Sequence, residues 1–479
     1  MIALSPAMRR GEVERYLESL TRFGVHLGLG RVKELLKALG DPHKAYPAVH
    51  VTGTNGKGSV SRMMASILEE AGYRTGLYLS PHLERFNERV SVDGKEIPDR
   101  ELSALTDKVK RVVDRMARQD KQCTYFEATT AVAFEYFRKL KVDVAVVEVG
   151  MGGRLDATNV VSPLVSVITN VTLEHTDRLG KTEEKIAFEK AGIIKKGRPV
   201  VTAVWDPKVL GVIQNIAKAR KAPVFMMQRE VRRRPVSRSL EGQRFSIYTD
   251  EDPYRGINCR MAGDFQLQNA SVAILAAELI ARDQGREGYL IGEGKRSGRA
   301  RARSALPDKD PGITADIIKK GIEKARLPGR MELLPGNPSL LLDSAHNPAA
   351  AENAAREVAE LARGRFKGIH LMFGNLADKD FVNVLRPLMP QVDTLTFVQS
   401  GSERSVKVAD AQKHVRRMER SAKGRSCPKL HYAEFAPDVR SGMDIALKRA
   451  GKWDLVWVTG SMYLVGEVRA HLRKRGLVK

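Results

Sequence analysis

A glycine-rich segment near the amino terminus, Gly53–Ser59 (GTNGKGS), carries residues that could bind nucleotide phosphates. It follows an apolar run that predicts a strand, 48–51, and it opens a predicted helix, 59–70. Glycine lets the backbone approach a phosphate closely, and the N–H groups at a helix N-terminus attract anions. Lys57 would reach the β- and γ-phosphates, and the Ser59 hydroxyl would face a magnesium ion. The spacing differs from that of the standard phosphate loop, so a glycine-rich turn without function is the alternative. The predicted nucleotide-binding residues here are Thr54, Asn55, Gly56, Lys57, Gly58 and Ser59.

Three further candidates stand directly after other predicted strands. Ser80 follows one strand, Glu148 ends another, and His175 lies just past a third. Open α/β sheets bind ligands at the carboxyl ends of their strands, so these side chains could hold Mg²⁺ against nucleotide phosphates. Each of these residues alone could equally be a surface charge or a hydrogen-bonded loop residue. Only their shared position after predicted strands favours a metal-binding site.

Lys190 lies in a charged helical stretch, 183–196. A lysine in such a stretch is usually a solvated side chain. Nothing in the residues themselves selects Lys190 over Lys185.

The elements that would position these residues follow an α/β pattern. Short apolar runs bounded by turn residues alternate with helical periodicity, which is typical of a mostly parallel sheet covered on both faces. A second series of the same kind follows. We predict a P-loop-type, doubly wound amino-terminal domain and a smaller Rossmann-like carboxyl-terminal α/β domain. The predicted strands are 49–51, 76–79, 142–147, 164–169, 199–203 and 223–226, then 340–342, 369–373, 395–398 and 455–458.

Two features set the predicted domain limits. A helical pattern, 313–326, ends at Leu327-Pro328-Gly329, so we expect domains of 1–327 and 328–479. A basic, glycine-rich stretch at about 281–311 has no periodicity and predicts a flexible insertion.

Composition limits the class of protein. The 479 residues are 42% hydrophobic and carry only 3 cysteines without metal-ligand spacing, so a disulfide framework and a zinc cluster are not expected. No apolar run reaches the roughly 20 residues of a membrane helix. The few, widely spaced cysteines fit a reducing compartment, so we expect a cytoplasmic protein. The net charge of +24 allows a basic P-loop ATPase that binds nucleic acid, but the basic runs lack interleaved aromatic residues.

Eight segments occur in an order that resembles folylpolyglutamate synthase/dihydrofolate synthase of the Mur ligase superfamily. The first of them marks the superfamily, and the second, third and fifth point to the folate branch. The segments are GTNGKGS (53–59), SPHLERFNERV (80–90), EVGMGGRLDATN (148–159), LEHTDRLG (173–180), EKAGIIK (189–195), LPGRMELL (327–334), DSAHNP (343–348) and VTGSMYLVGEV (458–468).

The resemblance implies an ATP-dependent ligase of folate biosynthesis. A carboxylate of dihydropteroate or a folate attacks the γ-phosphate, and L-glutamate then displaces phosphate from the acyl phosphate. The resemblance also implies a monomer. It leaves open whether the chain makes dihydrofolate, extends folate tails, or does both, and whether the acceptor is instead another pterin-like compound or a cell-wall precursor.

The resemblance also assigns roles to residues. The implied catalytic residues are Lys57, His175, Lys190 and Arg330. Ser80 and Glu148 would help to hold one Mg²⁺, and His175 would hold a second. Lys190 would be carbamylated and, as the carbamate, would be a further metal ligand. The positions that match nucleotide contacts further along the chain are Asn269, Arg330, Asp343 and His346. The positions that match acceptor contacts are Phe126 and Asp156.

Two positions and one segment depart from the family pattern. Ser344 replaces a glycine, Leu327 replaces a tryptophan, and 401–405 match only loosely. The last departure leaves the contacts of the incoming glutamate undefined.

Overall fold

The computed structural model describes residues 10–24, 26–285, 306, 312–421 and 433–478. These divide into two compact units. The first contains the residues up to Arg234, Ser246–Ile257 and those from Gln268 to Ala325, and the second contains Pro235–Phe245, Asn258–Leu267 and the residues from Arg326 onward. The sequence analysis places 235–245 and 258–267 in the first domain, whereas the structure places them in the second unit.

The described residues form seventeen strands. In chain order they are β1 (Ala48–Thr52), β2 (Thr75–Tyr78), β3 (Val90–Val92), β4 (Lys95–Glu96), β5 (Val144–Glu148), β6 (Pro163–Ile168), β7 (Val200–Thr202), β8 (Val224–Met226), β9 (Arg232–Ser239), β10 (Gly242–Tyr248), β11 (Pro253–Cys259), β12 (Glu332–Leu334), β13 (Ser339–Leu342), β14 (Ile369–Phe373), β15 (Thr394–Val398), β16 (Ala433–Ala436) and β17 (Leu455–Thr459).

Sixteen α-helices connect them within the described residues. They are α1 (Arg10–Ser19), α2 (Gly30–Ala38), α3 (Lys57–Glu70), α4 (Asp99–Ala117), α5 (Tyr125–Lys139), α6 (Thr176–Leu179), α7 (Glu183–Ala191), α8 (Pro207–Ala219), α9 (Met227–Glu230), α10 (Phe265–Gly285), α11 (Ala315–Lys324), α12 (Pro348–Leu361), α13 (Phe381–Leu385), α14 (Val408–Ser421), α15 (Val439–Arg449) and α16 (Met462–Lys474).

The sheet of the first unit has eight strands in the order β4-β3-β2-β5-β1-β6-β7-β8. Strands β2, β5, β1, β6, β7 and β8 run parallel, and β3 and β4 add antiparallel pairs at one edge. The central strands β1 and β5 are buried along their whole length, because both faces of the sheet are covered. This arrangement confirms the predicted mostly parallel sheet.

The sheet of the second unit has six strands in the order β12-β13-β17-β14-β15-β16. Only the β12–β13 pair is antiparallel. Its core includes Trp457, Phe373 and Phe397, which are fully buried. The predicted second α/β fold is therefore also confirmed.

The sequence analysis missed a third sheet, which has three strands in the order β11-β10-β9. The edge strand β9 is rich in arginine and largely exposed, so it lacks the apolar signal of a buried strand.

The predicted flexible insertion begins too early. Helix α10 continues to Gly285, so 281–285 are helical. Apart from Leu306, the remainder of the predicted insertion, 286–311, lies outside the described residues. Across the described parts of the chain, no helix is long and apolar enough to span a membrane.

Candidate active site

The glycine-rich loop between β1 and α3 is held by the segment that follows β6. The Thr54 and Asn55 N–H groups donate to the backbone oxygen and the side-chain oxygen of Asn170, at 3.0 and 2.8 Å. The Thr169 hydroxyl donates to the Asn55 carbonyl at 2.6 Å. These two amides are therefore occupied, and the first turn of α3, which begins at Lys57, supplies N–H donors for a phosphate.

Close packing shapes this loop at both of its inner glycines. A Cβ on Gly53 would lie 1.8 Å from the Thr169 hydroxyl, and a Cβ on Gly56 would lie 2.5 Å from Oδ1 of Asn269. Gly56 also has φ of 83°. The structure thus brings Asn269, on α10, against the loop. The Lys57 ammonium lies over the loop and donates to the carbonyls of Gly53 and Thr54, both at 2.9 Å.

Ser80 and Glu148 meet at the carboxyl ends of the adjacent parallel strands β2 and β5. The Ser80 N–H donates to Oε2 of Glu148 at 3.0 Å. The Glu148 side chain is buried, with 4% of the residue exposed. A buried carboxylate beside a serine offers the oxygen ligands that Mg²⁺ prefers.

Lys190, in the last turn of α7, is buried and only 2% exposed. The pKa of Lys190 is lowered from 10.5 to about 7. Burial is the main cause, the nearby positive charge of Lys57 adds to it, and the negative charge of Glu174 partly opposes both. The structure therefore places Lys190 in the electrostatic field of the phosphate loop. Because burial removes water from around the ammonium, Lys190 is neutral in a much larger fraction of molecules than a solvated lysine is.

His175 lies just after β6, at the start of α6, with φ of 49°. Its Nε2 lies 3.7 Å from Oε1 of Glu174. Among the described residues, no group of three or more His, Cys, Asp or Glu side chains is arranged to hold a metal ion. The predicted ligand set contains only two residues of these types, Glu148 and His175, so its assignment stays a prediction.

The two predicted acceptor residues differ in how much of their surface remains accessible. Phe126 is half-buried, and its ring covers Gly150, where a Cβ would lie 2.5 Å from Cζ. The carboxylate of Asp156 is buried and accepts hydrogen bonds from the Met151 N–H at 2.9 Å and the Thr158 N–H at 3.0 Å. Burial raises its pKa. Asp156 therefore also orders the loop that follows β5.

In the second unit, Arg330, Asp343 and His346 occupy neighbouring loops. Asp343 is buried and accepts from the Met331 and Ala345 N–H groups at 3.1 and 3.0 Å. Burial raises the pKa of Asp343, and the nearby Arg330 guanidinium opposes that rise. Nδ1 of His346 lies 2.9 Å from the Ser344 carbonyl and therefore donates to it. These contacts place Arg330 and Asp343 together.

Sequence reasoning missed several residues that shape the two loops. Ser344, noted only as a departure, donates its hydroxyl to the Gly329 carbonyl at 2.7 Å and so fixes the turn before Arg330. Asn170 and Glu174 were not selected, although both follow β6 in the same way that Ser80 follows β2. Their position after a buried strand was the available signal.

Comparison with known proteins agrees with this arrangement. Residues 51–277 match the Mur ligase middle domain, and residues 329–462 match the Mur ligase glutamate ligase domain. The phosphate loop and the two α/β units thus define an ATP-dependent ligase of the Mur type.

Relatives narrow the class. The chain is 34% identical over 466 residues to the dihydrofolate synthase/folylpolyglutamate synthase of Bacillus subtilis, which covers 96% of this chain and 99% of that protein. It is 32% identical over 454 residues to the Escherichia coli protein of the same name, covering 95% and 93%. The chain belongs to the dihydrofolate synthase/folylpolyglutamate synthase family.

Solved structures show the same fold. Mycobacterium tuberculosis folylpolyglutamate synthase in complex with ADP matches with a TM-score of 0.80 and 28% identity, covering 96% of this chain and 98% of that one. Escherichia coli FolC in complex with DHPP and ADP matches with a TM-score of 0.78 and 28% identity, covering 98% and 100%. The predicted class of enzyme, an ATP-dependent ligase, is confirmed.

Proposed function

We propose that this chain uses ATP to join L-glutamate to a carboxylate of dihydropteroate or a folate. The observation that carries the proposal is the phosphate loop, where the Lys57 ammonium is held at the start of α3 by the Gly53 and Thr54 carbonyls. A fixed cation beside the amides of a helix N-terminus suits a reaction that brings two anions together, a carboxylate and a triphosphate. The names of the relatives support the choice of substrates.

The proposed chemistry has two transfers. An oxygen of the acceptor carboxylate attacks the γ-phosphorus as the bond to ADP breaks, giving an acyl phosphate. The amine of glutamate then attacks the acyl carbon, loses a proton, and phosphate leaves. Lys57, the first amides of α3, Asn269 and Arg330 are proposed to bind and neutralise the phosphates. Asp343 and His346 are proposed to contact the rest of the nucleotide.

Magnesium fits the residues at the ends of β2 and β5. The buried Glu148 carboxylate and Ser80 would hold one ion, and His175 is proposed to hold a second, although imidazole is a less usual ligand for Mg²⁺. When bound, the ions would neutralise part of the charge on the phosphates. Burial and its bond to the Ser80 N–H hold the Glu148 carboxylate in place.

We further propose that Lys190 is carbamylated. Its pKa of about 7 leaves much of the amine neutral at physiological pH, as attack on CO₂ requires. The new N–C bond and the loss of one proton would turn a buried cation into an anion facing Lys57. That exchange would relieve the repulsion between the two lysines.

Phe126 and Asp156 are proposed to lie beside the acceptor. The ring of Phe126 offers an aromatic face over Gly150, and the Asp156 carboxylate orders the adjoining loop. A different pterin-like acceptor or a cell-wall precursor would use the same chemistry, but the comparisons give those acceptors no support. They likewise give none to nucleic-acid binding as the main role. A monomeric state and a cytoplasmic location stay predictions.

Purified protein with ATP, Mg²⁺ and L-glutamate tests the proposal. Dihydropteroate and tetrahydrofolate are supplied in separate reactions, phosphate release is followed, and mass spectrometry detects one added glutamyl unit. We expect phosphate release only when glutamate and an acceptor are both present, and its loss in Lys57→Ala. Lys37→Ala, an exposed lysine on α2, is the matched control. Failure with every reduced pterin acceptor would remove the substrate assignment.

A further inference from the structure

A buried histidine lies in the apolar strand that leads to the phosphate loop. His50 is in the middle of β1, and none of its surface is exposed. Its Nε2 lies 2.9 Å from the Thr158 hydroxyl. Its Nδ1 is buried and has no hydrogen-bond partner among the described residues. Because an unpartnered polar atom in a protein core is destabilising, an apolar side chain of similar size would serve the core of the sheet at least as well as His50 does.

Thr158 connects His50 to the carboxylate of Asp156. The Thr158 hydroxyl donates to Oδ1 of Asp156, and the Thr158 N–H donates to the same oxygen at 3.0 Å. The Met151 N–H donates to Oδ2 at 2.9 Å, and the Gly150 N–H contributes a further hydrogen bond. An ionised carboxylate only accepts hydrogen bonds, so this set of donors suits the anion. The same hydrogen bonds oppose the rise in the pKa of Asp156 that burial causes.

The direction of the hydrogen bonds in this chain follows from its two ends. Burial, with a smaller contribution from the positive charge of Lys195, lowers the pKa of His50 to about 3, so the ring is neutral and carries one N–H. The Thr158 hydroxyl gives its only hydrogen to Asp156 and therefore accepts from His50. The hydrogen of the imidazole is then on Nε2. The other tautomer would leave a buried N–H at Nδ1 without an acceptor among the described residues.

Strand β1 holds the loop after β5 at a second point. The Thr52 hydroxyl donates to the Gly152 carbonyl at 2.6 Å. Thr52 and His50 are two residues apart on the strand and so point to the same face of the sheet. The loop that carries Asp156 is therefore fixed to the strand that runs directly into the phosphate loop.

We infer that His50 is a positioning residue for the acceptor: by donating to Thr158, it fixes the orientation of the Asp156 carboxylate and keeps both of its oxygens as hydrogen-bond acceptors. The Phe126 ring covers Gly150, whose N–H bonds to Asp156, so an acceptor ring beside Phe126 would lie close to this carboxylate. A carboxylate held in this way favours ring nitrogens that carry a hydrogen over those that present a lone pair. The inference rests on the proposed function, because Asp156 is proposed to lie beside the acceptor.

Steady-state kinetics test the role of the histidine. His50→Leu removes the donor and keeps an apolar side chain of similar size. We expect KM for the acceptor to rise about 3- to 10-fold, the factor of one ordinary hydrogen bond, while kcat and KM for ATP stay within about twofold of the wild type. His50→Gln places an amide N–H near the position of Nε2 and should restore most of the loss. His43→Leu, at another buried histidine of the first unit, is the matched control and should behave as the wild type does.

A double variant separates an effect through Thr158 from a general loss of packing. Thr158→Val removes the hydroxyl and should raise KM for the acceptor at least as much as His50→Leu does. Because His50 acts through Thr158, adding His50→Leu to Thr158→Val should change KM for the acceptor by less than about twofold. Effects that multiply in the double variant would overturn the inference. A rise in KM for ATP that matches the rise for the acceptor would overturn it as well, since that result would mean that His50 only stabilises β1.

Nitrogen-15 NMR of histidine-labelled protein gives a readout that requires no turnover. The His50 signals, identified by their absence in His50→Gln, should show the Nε2–H tautomer and should shift in Thr158→Val. The Nδ1–H tautomer would overturn the inference. A wild type that shows the expected tautomer but transfers no glutamate to any reduced pterin would contradict the proposed function. A His50→Leu variant that transfers glutamate with unchanged KM for the acceptor would contradict only the role of His50.

Discussion

The burial of Lys190 leads to a quantitative expectation about its reactivity toward CO₂. With a pKa of about 7, roughly three quarters of the amine is neutral at pH 7.5. A solvated lysine with the usual value near 10.5 is neutral in only about one molecule in a thousand. Lys190 should therefore present roughly 700 times more neutral amine than a solvated lysine does. Lys185 lies exposed on the same helix. We expect a carbamate at Lys190 and not at Lys185.

Carbon-13 NMR of the protein in ¹³C-bicarbonate measures this directly. One carbamate resonance should appear, grow as the pH rises through 7, vanish in Lys190→Met and persist in Lys185→Met. Lys190→Met and Lys190→Ala should also lose turnover, and added short carboxylic acids should restore part of it in the alanine variant by filling the vacated space with an anion. A resonance that survives in Lys190→Met, or unrescued variants with near-normal turnover, would refute the reasoning.

Three other expectations follow from the same region. Gly56→Ala would force a Cβ to within 2.5 Å of Asn269 at a φ of 83°, so ATP affinity should fall roughly tenfold or more in a nucleotide titration. Phe126→Ala should raise KM for the acceptor several-fold in steady-state kinetics and leave KM for ATP unchanged, because the ring covers Gly150 and not the phosphate loop. In CO₂-free buffer, the free energy of unfolding from denaturant titration should be larger for Lys190→Met than for the wild type. The difference between the two free energies should narrow by about 2.5 kcal/mol from pH 6 to pH 9. The sign follows because the unfolded chain binds more protons than the folded one between pH 7 and 10.5, so the wild type gains stability as the pH rises.

Buried parallel strands were the most predictable part of the fold. Strands such as β1 and β5 are continuous apolar runs because both of their faces are covered, and that pattern is visible in the sequence. Strands β3, β4 and β9 were missed, since β3 and β4 are only three and two residues long and β9 is exposed and rich in arginine. The second unit also takes in 235–245 and 258–267, a long-range arrangement that no local pattern specifies.

Position directly after a strand correctly predicted which pair of site residues would be neighbours. It predicted Ser80 and Glu148 at one edge of the sheet, and their hydrogen bond at 3.0 Å shows that they meet. It did not predict that Asn170 would accept hydrogen bonds from the Thr54 and Asn55 N–H groups, because that contact depends on the conformation of the loop after β6. The same principle would have selected Asn170 and Glu174, had every polar residue after a strand been considered.

Lys190 shows why chemistry at a site can be invisible to composition and periodicity. Its helix, α7, is charged and short, and on sequence alone its lysines are equivalent. What separates them is tertiary: Lys190 is on the face that packs beneath the loop after β5, where Gly153 is close enough that a Cβ would lie 2.9 Å from the Lys190 carbonyl. A glycine there permits the close approach of the two backbones, and burial of the Lys190 side chain lowers its pKa. The packing that buries Lys190 and leaves Lys185 exposed joins segments that are distant in the sequence, so no local pattern predicts it.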